Sequence, residues 1–175
     1  MGCWTIEQLV WLAAGAGFPD PAMAAAIAMA ESQCLSSDTS LCPGQCGQGF
    51  ADDGAIGDTG PNVQGPSKGL WQIDVAFHPD LDSGGNLLDP NYNAQAAYQV
   101  WLKAPNGGQN FGPWSTFNNG NYKAFYDPSL NSSTGNPPPG FPWGSVAIGV
   151  AIVAGSGLLA WYLTNPKAFR RLVPA

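Results

Sequence analysis

The sequence predicts a mainly α-helical globular domain of the α+β kind, followed by a single C-terminal transmembrane helix. Three observations carry that prediction. Apolar residues recur at helical spacing in separate stretches before residue 105, one short stretch from Gly69 to Asp74 is bounded by turn residues instead, and Trp143 to Leu163 contains no charged residue.

The first helix is expected from about Thr5 to Ala14. Thr5-Ile6-Glu7-Gln8 has the form of a capping box, Ile6, Leu9, Val10 and Leu12 follow at roughly helical steps, and Gly15-Ala16-Gly17 stops the run. A second helix begins near Asp20, a candidate N-cap, with Pro21 where a first turn tolerates proline. It continues through Ala24-Ala25-Ala26-Ile27-Ala28-Met29-Ala30, a run of high helix propensity, and delivers one carboxylate, Glu31, at its end. Desolvation and the helix dipole both disfavour the charged form there, so the pKa of Glu31 is expected to rise. A protonated acid near neutral pH is what glycosidic bond cleavage requires. The plainer reading is an acid that ends a core helix and faces water.

Gln33 to Lys68 is rich in Gly, Ser, Asp and Pro without a sustained period and reads as a long loop. Gly69-Leu70-Trp71-Gln72-Ile73-Asp74 reads as a strand or an extended turn. Pro90-Asn91-Tyr92-Asn93 opens a helix bearing Ala94, Ala97, Tyr98 and Trp101, with Asn93 as its cap or one turn inside. An aromatic, turn-rich segment from Phe111 to Gly120 follows, and a short helix from Tyr122 to Phe125 closes the domain.

Charge narrows the class of ligand. The net charge of -6 divides unevenly: all twelve acids precede Pro128, while Lys167, Arg170 and Arg171 crowd the C-terminus. An acidic globular part lacks the basic surface that phosphate binding needs, which argues against nucleic acid. The four cysteines, Cys3, Cys34, Cys42 and Cys46, lie far from the single histidine, His78, and lack the spacing of a zinc site, so no metal is expected. Two disulfides fit better, joining Cys3 to one loop cysteine and the other two to each other, with reduced structural thiols as the alternative. Disulfides imply an oxidising compartment.

The chain is expected to divide into a domain at 1–127, a Pro/Gly/Ser linker at 128–142, the membrane span at 143–163 and a short basic tail at 164–175. Pro137-Pro138-Pro139 stiffens the linker, and Trp143 and Trp161-Tyr162 sit where an interfacial aromatic belt would. The basic tail places the C-terminus on the cytoplasmic side and the domain outside. No basic segment precedes an apolar one near Met1, so no cleavable signal peptide is expected.

Three separated pieces, Ala30-Glu31-Ser32, Gly69-Leu70-Trp71-Gln72-Ile73 and Thr116-Phe117-Asn118-Asn119-Gly120, together resemble the motifs of the lysozyme-like superfamily. The resemblance is to lytic transglycosylase domains and their goose-type lysozyme relatives, and it covers roughly Thr5 to Phe125. Those families carry Glu-Ser at a helix end, then Gly-Leu-Met-Gln-Ile or a variant, then Ala-Tyr-Asn. Two departures stand out: Phe117 replaces the tyrosine and removes a hydroxyl, and the loop between the first two motifs is long and carries three cysteines.

The resemblance implies that Glu31 is the general acid on the bond between N-acetylmuramic acid and N-acetylglucosamine. Ser32 would orient it, Gly69 would let the backbone approach a saccharide, and Gln72 and Asn118 would offer amides to N-acetyl groups. Leu70 and Trp71 would complete the saccharide-binding motif, Trp71 either against a sugar face or in the core. Asp74 is either a loop cap or the second acid of a hydrolase, a role also open to Asp52, Asp53 and Asp58. No cofactor is implied. The expected partners are peptidoglycan glycan strands, a lipid bilayer and other virion proteins, since an outward-facing domain without a signal peptide fits a bacteriophage particle protein. The rival from another class is a non-catalytic wall-binding membrane protein, which Phe117 favours.

Overall fold

The computed structural model describes residues 3–33, 51–52, 55–57 and 65–133. All of them belong to the first of two units, Met1–Phe141. The span expected at 143–163, the linker from 134 onward, the basic tail and Cys34, Cys42 and Cys46 lie outside the described residues. Among the described residues no helix is long and apolar enough to cross a membrane.

Strand β1 (Cys3–Trp4) leads into helix α1 (Ile6–Ala16) through the capping box: Gln8 N donates to Thr5 Oγ1 at 3.3 Å and Thr5 N to Gln8 Oε1 at 2.8 Å. The helix passes through Gly15, where a stop was expected, and ends at Gly17. That residue has a φ of 104°, and its N–H reaches the carbonyls of Ala13 and Ala14. A left-handed residue at this place favours glycine and turns the next one inward. Phe18 accordingly enters the core, stacked on Trp71 and Phe111 at centroid distances of 6.2 and 5.8 Å.

Helix α2 (Pro21–Ser32) starts where Asp20 accepts from Met23 N at 3.0 Å. Ala24 through Met29 are all buried, so the helix is enclosed rather than amphipathic. Burial of Ile27 and Met29 contributes about 1.5–3 kcal/mol each. The alanines contribute less, and their small size lets α1 and the later segments approach from all sides. The far end is held by strand β2 (Ala51–Asp52), in which Ala51 bridges to Gln33 and pairs with Trp4 while Asp52 pairs with Cys3. Cys3 is disulfide-bonded.

The long segment after α2 contains more order than its sequence predicts. Besides β2 it supplies β3 (Ile56–Gly57) and β4 (Ser67–Lys68), which join β5 (Ile73–Asp74) in an antiparallel sheet of order β3-β4-β5. Two-residue strands are too short to show an alternating pattern, so only backbone pairing reveals them. Between β4 and β5 the chain makes a tight turn with positive φ at Gly69 (76°) and Gln72 (45°). A Cβ at Gly69 would sit 2.3 Å from the Leu87 carbonyl and 2.5 Å from Asn93 Nδ2, so only glycine fits.

Helix α3 (Pro79–Gly84) was not expected; Lys68 reaches it, with Nζ 2.7 Å from Asp82 Oδ1. Helix α4 (Pro90–Leu102) is capped by Asp89, which accepts from Tyr92 N at 2.9 Å. Asn93 therefore lies one turn inside, fully buried. Its Oδ1 accepts from Trp71 N at 2.8 Å and its Nδ2 donates to the Lys68 carbonyl at 3.0 Å. Two backbone groups of the turn thus find their partner on one amide.

The chain ends its described course with helix α5 (Ser115–Asn118), a 3₁₀ turn at Asn121–Ala124 and a second 3₁₀ helix at Pro128–Ser133. The last corrects the expected linker boundary. Residues 128–133 belong to the domain because Asn131 binds the start of α2: its Oδ1 accepts from Ala22 N at 2.8 Å and its Nδ2 donates to Asp20 Oδ1 at 3.0 Å. The Tyr126 hydroxyl donates to Asp20 Oδ2 at 3.1 Å.

Two predictions follow from these ties. Removing the Asn93 amide strands a buried N–H and a buried carbonyl, so Asn93→Ala should lower stability by about 2–4 kcal/mol. Urea unfolding of the full chain measures this, and a loss under 1 kcal/mol would show that the turn does not depend on the amide. Partial burial first, then the Asp20 charge and hydrogen bond, raise the Tyr126 pKa. Its contribution to stability is therefore complete below the unfolded phenol value of about 10 and disappears as pH rises through the folded value. In melting curves from pH 8 to 11.5, Tyr126→Phe should remove part of the alkaline fall in Tm; parallel curves for the two proteins would refute that.

Candidate functional site

Glu31 stands in the last turn of α2, half-buried, at the point where three segments meet. The bridge from Gln33 to Ala51 fixes the chain just beyond it. On another side α5 presents Thr116, whose hydroxyl donates to Glu31 Oε1 at 2.7 Å, with the Thr116 N–H 3.4 Å from the same oxygen. Helix α5 has no side-chain cap of its own, so the Glu31 carboxylate fills that place from α2. The 2.7 Å separation is that of a well-formed O–H···O hydrogen bond.

Trp71 sets the spacing of these parts. Its indole Nε1 donates to the Ala24 carbonyl at 3.0 Å, and its own carbonyl accepts from Trp114 Nε1 at 2.9 Å. Trp114 precedes α5, so a chain of buried bonds runs from the first turn of α2 through the β4–β5 turn to the residue that places Thr116. All three motifs therefore converge, but their side chains take different positions from those the resemblance implies.

Ser32 is 3% exposed and donates its hydroxyl to the Ala28 carbonyl at 2.8 Å. It satisfies its own helix rather than orienting Glu31. Leu70 and Trp71 are fully buried, so neither offers a surface to a saccharide; Trp71 is a core residue. The space above Gly69 is occupied by the Leu87 carbonyl and the Asn93 amide, so its close approach is to its own fold and not to a ligand. Gln72 is half-buried, and its Nε2 donates to the carbonyls of Ala55 at 3.1 Å and Gly69 at 2.8 Å, which commits both amide hydrogens to bracing the sheet. Asn118 is exposed next to this region, with Nδ2 donating to the Gly112 carbonyl at 2.8 Å.

Asp74 accepts from Ala76 N at 2.8 Å and is a turn cap in this arrangement. Asp52 is 3% exposed in β2, next to the residue that bridges to the end of α2; Asp53 and Asp58 lie outside the described residues. Among the described residues no group of three His, Cys, Asp or Glu side chains is placed to hold a metal ion.

Thr116 and Trp114 were not singled out by the sequence, and Asn93 only as the cap of α4 or a residue one turn inside it. Thr116 opens the third motif and so had a positional signal, and Asn93 falls in line with Ala97, Val100 and Trp101 on the buried face of α4, where a polar residue is conspicuous. Trp114 carried no signal beyond its aromatic character.

Phe117, the departure from the third motif, is half-buried with its ring between Phe111 at 5.8 Å and Tyr122 at 5.2 Å. Comparison with curated proteins and with solved structures gave no match. A protein family described as a lysozyme-like domain matches residues 10–116, more than half of the chain, in a span that contains Glu31, the β4–β5 turn and Thr116. The chain belongs to this lysozyme-like domain family, a family of peptidoglycan-lytic enzymes.

Proposed function

We propose that the protein is a lytic transglycosylase that cleaves the β-1,4 bond between N-acetylmuramic acid and N-acetylglucosamine, with Glu31 as its catalytic residue. The observation that carries this reading is one half-buried carboxylate at the end of the central helix, held at Oε1 by Thr116. The scheme needs only one acid. Protonated Glu31 gives its proton to the glycosidic oxygen as the bond to C1 of the muramoyl residue breaks, and the acetamido oxygen of that residue takes up the electron deficiency at C1. The carboxylate then removes the proton of the 6-hydroxyl, whose oxygen closes onto C1. The product is a 1,6-anhydromuramoyl end, and no water is consumed.

A muramidase is the second reading, favoured by the burial of Asp52 in the strand that holds the end of α2. A second acid serves an inverting hydrolase when it stands roughly 6.5–9.5 Å from the first. Asp74 is less suited to that task because it caps its own turn. A wall-binding protein without catalysis remains the reading from another class, and Phe117 is what favours it.

The uncharged stretch from Trp143 to Leu163 and the basic tail support a membrane anchor with the domain outside the cytoplasm. In this reading the enzyme opens the wall within reach of a bilayer, as a phage virion or envelope-associated protein that helps a genome pass. The disulfide at Cys3 fits an oxidising location.

Purified full-length protein is expected to release muropeptides from isolated peptidoglycan with anhydro ends by mass spectrometry, and Glu31→Gln to lower the rate by at least about a hundredfold. Reducing ends would replace transglycosylation by hydrolysis, and equal clearing by both proteins would remove Glu31 from the chemistry. Asp74→Asn should keep most of the activity; a loss comparable to that of Glu31→Gln would make Asp74 a second acid.

A further inference from the structure

The third motif of this chain lacks the tyrosine hydroxyl, since Phe117 stands in its place and its ring is engaged by Phe111 and Tyr122. A hydroxyl nonetheless reaches Glu31, one residue earlier. Thr116 is 8% exposed, and its hydroxyl and its peptide N–H both point at Oε1 of the acid, at 2.7 and 3.4 Å. Both donors come from one residue of a helix whose start is pinned by Trp114 to the Trp71 carbonyl. Water has little access to a hydroxyl so buried, and the bond is between groups on two elements already held together by the core.

We propose that Thr116 is a positioning residue whose hydroxyl holds Oε1 of Glu31 and so fixes the orientation of the acid. The inference rests on the reading of Glu31 as proton donor. Glu31 releases the proton to the leaving oxygen and later accepts that of the 6-hydroxyl, while Thr116 keeps its bond to Oε1. The hydroxyl donates most strongly when Glu31 is ionised, so it favours the state that follows protonation of the leaving group. Phe117 can then be apolar at no cost to the acid.

Two substitutions separate the hydroxyl from the shape of the side chain. Thr116→Val keeps the volume and removes the donor, and Thr116→Ser keeps the donor and removes a methyl group. With full-length protein and isolated peptidoglycan, the valine variant should lose roughly ten- to a hundredfold in kcat with KM within about twofold of wild type. The serine variant should keep kcat within about threefold. Circular dichroism melting establishes that each variant is folded, and Thr116→Ala substitutes for valine if the latter does not fold. A valine variant with wild-type kcat would overturn the proposal, as would equal losses in valine and serine, which would make the fit of the whole side chain rather than its hydroxyl the relevant feature. Glu31→Gln run in parallel tells the two failures apart. If it is inactive while Thr116→Val is fully active, the acid stands and the positioning role falls; if it is as active as wild type, the reading of Glu31 itself falls.

Discussion

Three hydrogen bonds on one buried tryptophan hold the parts of this domain in register. Trp71 donates from its ring to Ala24 on α2, donates from its backbone to Asn93 on α4 and accepts at its carbonyl from Trp114 at the start of α5. Each bond crosses between elements distant in sequence, and each is buried, where an unmet polar group is costly. Displacement of the turn by even an ångström would break more than one of them at once. The aromatic cluster around Phe18 packs against the same ring and leaves it one orientation.

This arrangement changes what the second motif is for. Gly69, Leu70, Trp71 and Gln72 read as a saccharide-binding segment, yet their polar atoms are directed into the protein. Gly69 makes room for a carbonyl and an amide, Leu70 and Trp71 are enclosed, and Gln72 braces β3 against the turn. The segment is a scaffold that ties the first turn of α2 to the residue before α5.

The domain is also closed at the opposite end of α2. Asp20 caps the helix and at the same time receives Tyr126 and Asn131, so the last described segment is fastened to the first turn of the helix that carries Glu31. A helix of this kind, alanine on nearly every face, contributes little burial energy of its own and depends on being gripped at both ends. Asp20 with Asn131 does so at its start, and β2 with the Cys3 disulfide lies against its finish.

The sequence by itself determined the three long helices and the caps of the first two. These are local properties: the Thr5 capping box and Pro21 after Asp20 act through neighbours within one turn, whereas the cap of α4 is Asp89, with Asn93 one turn inside. It also determined the family, because three motifs in order are a statement about sequence. Only the tertiary structure decided which motif residues turn into the fold: Ser32, Leu70 and Trp71 are buried, Trp71 taking the core of its two expected places, Gly69 adjoins the Leu87 carbonyl and the Asn93 amide, and the amide hydrogens of Gln72 are held by the protein. Periodicity cannot report the direction of a side chain in a four-residue turn. Nor can it show that a threonine donates to a glutamate 85 positions earlier. Such a contact exists only after Trp71 has brought α2 and α5 together. The two-residue strands and the attachment of residues 128–133 were hidden for the same reason, since both consist of pairings between distant segments whose own sequences carry no pattern.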